Sequence, residues 1–105
     1  GEVTVVIQSQ ANAVKLTFNP TDAGATADIC ATLDINAHAV GIVYGITGTV
    51  ADAMLSTAQY VKAQVAPLVL NAGVIGLATA ADNTGEIKWT LWYVPLSDGA
   101  AVAAA

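Results

Sequence analysis

Apolar and polar residues alternate with a period of two along much of this chain, and that period predicts strands. Val3, Val5 and Ile7 share one side of such a run, with Thr4, Val6 and Gln8 on the other. After the polar break Gln8–Asn12, Val14, Leu16 and Phe18 face one way while Lys15 and Thr17 face the other. Asn19-Pro20-Thr21-Asp22-Ala23-Gly24 follows with strong turn chemistry, because Pro fixes φ and Asn, Asp and Gly tolerate turn geometry. Ile29, Ala31, Leu33 and Ile35 then alternate with Cys30, Thr32 and Asp34, the clearest strand of the first half. A fourth run sets Val40, Ile42, Tyr44 and Ile46 against Gly41, Val43, Gly45 and Thr47. Two glycines on one face weaken a strand, so a ring or another backbone is expected close above them.

Residues 50–65 read two ways. Val50, Met54, Ala58, Val61 and Val65 fall at steps of three or four, the spacing of an amphipathic helix. The same stretch also fits a short helical turn followed by a strand, and that reading is preferred. Beyond Pro67, the run LVLNAGVIGLATAA resumes strand character, with a bulge or bend expected at Asn71, Gly73 and Gly76. Asp82-Asn83-Thr84-Gly85 marks a tight turn into a final strand that ends at Pro95, which has no N–H to give a ladder. In that strand Ile87, Trp89, Leu91 and Tyr93 share the core side, and Glu86, Lys88, Thr90 and Trp92 the outer one.

Seven or eight short strands separated by turns predict an all-β fold, a single jelly-roll-like antiparallel sandwich. At 105 residues the chain is expected to form one domain, with 99–105 a tail that stays mobile or is captured by a partner.

Composition changes the picture in one direction. Hydrophobic residues make up 55% and charged residues 10%, against a usual charged share of about 25%. A domain this small cannot bury so much apolar material, and a large exposed apolar patch usually marks a protein contact. Net charge is −5, and the basic residues are Lys15, Lys62 and Lys88, with no arginine. Nucleic acid requires clustered cations to displace phosphate counterions, and an anionic membrane would repel the chain, so neither partner is expected. No run reaches about 20 apolar residues, so no transmembrane helix is expected. Gly1-Glu2-Val3-Thr4 lacks the basic-then-apolar layout of a secretory signal. The lone Cys30 rules out a disulfide within the chain and suits a reducing compartment.

Candidate chemistry is sparse. Asp34, Asn36 and His38, at i, i+2 and i+4, would point together on an extended chain, but one imidazole, one carboxylate and one amide make a poor metal set. Cys30 with His38 would pair a nucleophile with a base, yet a mid-strand Cys behaves as a small hydrophobe. Asp22, Asp82 and Asp98 lie in turns, where side-chain bonds to the backbone account for them. No carboxylate pair is set up for acid–base work, and GIVYGITG opens no βαβ helix. No enzyme activity and no cofactor are expected.

The aromatic residues therefore carry the functional reading. On the outer face, Trp92 packs under a loop or the tail, contacts another subunit, or forms a sugar-stacking platform. The closing segment GEIKWTLWYVPLSDGA, the preceding NAGVIGLATAADNTG, and LDINAHAVGIVYGITGT together resemble the small jelly-roll decoration (cement) proteins of tailed bacteriophage heads, over residues 33–100. That resemblance implies a structural virion protein on the outer capsid surface, made in the host cytoplasm. Its implied partners are the major capsid protein and further copies of itself, as a dimer or trimer. It transfers no functional residues. Trp92, Lys88, Tyr60 and Val102 are the expected interface positions. A lectin-like module using Trp92 and Tyr60 is the alternative, with a single-jelly-roll shell subunit as a third reading.

Overall fold

The computed structural model describes residues 1–22, 24–58, 60, 64 and 66–104. Among these there is no helix; the elements are β1 (Glu2–Val5), β2 (Ala13–Pro20), β3 (Ala27–Asp28), β4 (Leu33–Asp34), β5 (Val43–Gly45), β6 (Leu55–Thr57), β7 (Gly73–Thr79) and β8 (Glu86–Lys88). They form two antiparallel sheets. One runs β6-β5-β1-β8; the other centres on β2, with β3 and β4 on one side and β7 on the other. The expected all-β sandwich is therefore what forms. First pairs with last (β1–β8) and second with next-to-last (β2–β7), the nested order of a rolled antiparallel ribbon.

The two sheets meet over a small core. Val3 and Tyr44 come from the first sheet and Val14 from the second, with Ile7, Cys30, Ile35 and Met54 supplied by the connections. β2 keeps its expected faces: Val14 is buried, and Leu16 packs on the core beside it. Asn12 pins the sheets at one end. Its Oδ1 accepts the N–H groups of Ala80 and Ala81, and its Nδ2 donates to the Ala81 carbonyl at 2.8 Å. Both polar atoms of this buried side chain are thus hydrogen-bonded, and it joins the β1–β2 connection to the β7–β8 connection.

Several expected faces do not survive. The β1 register slips between Val3 and Val5, so Val3 and Ile7 point inward while Val5 turns out. The irregularity breaks the alternation locally: Val5 and Val6 are both exposed, and the inward side resumes at Ile7, beyond the end of the strand. The run Ile29–Ile35 is not one strand: it breaks between β3 and β4, and both Ile29 and Cys30 are buried there. The break is filled locally, since Ile29 N–H bonds the Leu16 carbonyl and Leu16 N–H reaches Cys30 Sγ. Gly41 has no ring above it. It lies at φ 92° in open space, and its use is the left-handed conformation that precedes β5.

From residue 50 onward, a turn closed by Asp52 N–H on the Thr49 carbonyl leads into β6. Val61 and Val65, from the alternative helical stripe, lie outside the described residues. β7 runs without a bulge, in unbroken register from Val14↔Thr79 to Pro20↔Gly73. Gly73 is needed instead for close approach, because a Cβ there would fall 2.6 Å from the Phe18 ring.

Candidate interaction site

The sandwich is open along one side. β7 is the edge of its sheet and β8 the edge of the other. In β7, Ile75 and Leu77 stand opposite Phe18 and Leu16, hence on the core-facing side, yet each is 40% exposed. Among the described residues no strand of the first sheet packs directly against β7. Between the two edges lies a cleft of about 280 Å³ lined by Ile7, Ile35, Leu77, Ile87 and Trp89 among others. β7 reads GVIGLAT: seven residues with no charge, no Pro and no bulge. Natural edge strands usually carry at least one of these to discourage pairing with another chain.

The chain leaves the fold beside this cleft. β8 pairs only with β1, and the last register pair is Glu2 with Lys88. Trp89 is the final anchored residue. Its ring stacks on Tyr44, and it covers Gly1 so closely that a Cβ there would meet the indole at 2.7 Å. From Trp89 to Leu96, no backbone group finds a hydrogen-bond partner among the described residues. This arm carries Leu91, Trp92, Tyr93, Val94 and Leu96, all exposed, and no charged residue. A turn follows at Ser97–Ala100, closed by Ala100 N–H on the Ser97 carbonyl, with Gly99 at φ 77°.

The final strand was expected to reach Pro95 with Trp89, Leu91 and Tyr93 in the core. It stops at Lys88 instead, and Leu91 and Tyr93 are each 51% exposed. The pattern continues past the point where β8 has a neighbour, and a strand without a neighbour has no core side. Trp92 is 90% exposed, so neither a loop nor the tail covers it. Lys88 and Val102 are exposed on the same C-terminal segment. Tyr60 is also exposed, but it follows β6, at the opposite edge of the first sheet from β8. The strands that lead to Trp92 and Tyr60 are separated by two others, roughly 14 Å of sheet at about 4.8 Å per strand. Ile75 and Leu77 were not singled out from the sequence, although an uncharged seven-residue strand run is a legible warning.

The polar candidates are spent on structure. Asp34 Oδ1 accepts the backbone N–H groups of Asn12 and Asn36, each at 3.0 Å, and these bonds hold its carboxyl below the usual carboxylate range. His38 turns away to Tyr44, its Nδ1 lying 2.5 Å from the phenolic oxygen with the rings stacked at 5.7 Å. Burial pushes the Tyr44 hydroxyl up to about 12. Cys30 is buried against β2. Among the described residues no three His, Cys, Asp or Glu side chains converge, and no helix is long and apolar enough to cross a membrane.

No protein-family profile matches this chain, and no curated protein or solved structure matches it either.

Proposed function

We propose that this chain is a structural subunit that acts by burying its C-terminal arm and open edge against other polypeptides, in the manner of a capsid decoration (cement) protein. In that role it sits on the outer surface of a tailed-phage head, bound to the major capsid protein and to copies of itself, and performs no reaction. Its carrying observation is the arm: an uncharged segment from Trp89 to Leu96 with an unpaired backbone and a Trp92 that is nine-tenths exposed. Trp is among the residues enriched at interface hot spots.

The total surface supports the same reading. A folded monomer of 10.5 kDa is expected to expose about 5,400 Å². This chain exposes 7077 Å². The difference, roughly 1,650 Å² on one chain, is about twice the roughly 800 Å² that each partner gives to a standard protein–protein interface, room for more than one contact. With a net charge of −5 and three lysines, contacts to nucleic acid or to anionic lipid are not part of this role.

The test is calorimetry of heads from the virus that carries this chain, prepared with and without it. Cementing predicts a higher opening temperature with the chain bound. Equal opening temperatures reject it, and specific retention on a glycan array would move the reading to a sugar-binding module.

A further inference from the structure

We infer that the arm of one copy is the missing strand of another: residues 89–94 pair with the free edge of β7 in a second copy and cover its cleft. The inference rests on the assembly role proposed above and names the contact that builds it. Four observations on the two surfaces carry it.

First, both are short of the same thing. The arm has backbone donors and acceptors without partners, and β7 has one side of its ladder free because β2 occupies only the other. Strand addition satisfies both sets at once. Second, the lengths agree. β7 offers seven residues, and the arm offers six from Trp89 before Pro95 ends the supply of N–H groups. Third, neither segment carries a charge, so no like-charge repulsion or buried ion opposes their contact. Fourth, the area suffices. The exposed parts of Trp92 and Tyr93 alone come to about 280 Å² at roughly 200 Å² per aromatic ring, Leu91 and Val94 add to this, and reciprocal exchange doubles it before the accepting edges are counted, which brings it near the roughly 1,000 Å² of a specific interface.

A second copy is favoured over the chain's own arm. Trp92 stays 90% exposed and the arm's backbone unpaired although β7 is within the same molecule, so the chain's own edge does not capture it. A reciprocal exchange, in which each copy gives its arm and accepts the other's, closes as a two-fold dimer, and that is the form proposed here.

The experiment is sedimentation of the full chain from 1 to 100 µM, beside Trp92→Asp, Leu77→Lys and their equimolar mixture. Exchange predicts that the wild-type chain sediments above its 10.5 kDa monomer mass. Each variant should associate at least tenfold more weakly, and the mixture should recover a species of twice that mass, because one intact arm then meets one intact edge. Trp92→Asp alters a side chain that lies in solvent in the lone chain, so at concentrations where the wild type is also monomeric the two melting temperatures should match. If Leu77→Lys fails to fold, Val74→Lys on the other face of β7 takes its place. Variants that fold and associate as tightly as wild type overturn the exchange but leave the assembly role standing, as does a wild-type monomer at 100 µM that still binds heads. A monomer that binds no heads overturns both.

Discussion

Trp89 stacks on Tyr44 with ring centroids 6.1 Å apart and planes inclined by 26°. The two tryptophans, three residues apart, therefore have opposite duties: one closes the core, the other is offered to solvent. Trp89→Ala should lower unfolding free energy by about 2 kcal/mol, less than the 3–5 kcal/mol of a fully buried ring. Trp92→Ala should stay within about 0.5 kcal/mol in a dilute monomer. Urea unfolding of both variants checks this, and comparable losses would show that the arm belongs to the fold.

Asn12 is the polar pin of the sandwich. Asn12→Ala leaves the N–H groups of Ala80 and Ala81 and the Ala81 carbonyl without their present partners. The expected loss is about 1–2 kcal/mol, because Ala80 is exposed and Ala81 half-buried, so water replaces part of what Asn12 supplies. Faster amide exchange at Ala80 and Ala81, beyond the global change in stability, would locate the damage.

The Asp34 carboxylate should make the fold acid-sensitive. Its folded pKa lies below the unfolded value because the Asn12 and Asn36 N–H groups favour the charged form. Its contribution is therefore present above about pH 4 and lost as pH falls through the lowered folded pKa. Asp34→Ala should be less stable than wild type at pH 7, with the two curves converging below pH 4. Parallel curves in a urea titration across that range would assign the acid response elsewhere.

Alkaline sensitivity should come from Tyr44. Its folded pKa is raised to about 12 by burial, above the ordinary value of 10. Below pH 10 the hydroxyl is neutral in both states and stability does not depend on it. Between pH 10 and 12 only the unfolded chain gives up the proton, so stability falls as pH rises through that window. Tyr44→Phe should flatten this fall in unfolding midpoints measured from pH 9 to 12. A slope unchanged by the substitution would exclude Tyr44 as its source.

Alternation made much of this fold legible. β2 could be placed with its inward side chains, and so could the two sheets' worth of strands, because a half-buried strand must alternate. The β1 slip was not legible, since Val5 and Val6 are both apolar and yet both exposed, so no side chain marks the break. The end of β8 was hidden for a different reason. Ile87, Trp89, Leu91 and Tyr93 keep perfect alternation, but alternation records which sides of a strand differ, not whether a neighbouring strand exists. The excess of apolar over charged residues was the better guide to the arm, because it concerns how much surface a chain of this size can hide. The candidate polar cluster misled through the same assumption of extended backbone: a turn at Asn36 and Ala37, the latter at φ 56°, separates Asp34 from His38.

The pairing of β1 with β8 also governs how the molecule comes into being. Thr4 bonds the carbonyl of Glu86, 82 residues away along the chain. An emerging polypeptide thus cannot complete its first sheet until nearly the last of its strands has left the ribosome. Topologies dominated by such distant contacts fold in milliseconds to seconds. During that interval the edge of β1 that β8 will occupy has no partner, so yield in a cell should depend on translation speed and on chaperones more than the modest size of the protein suggests.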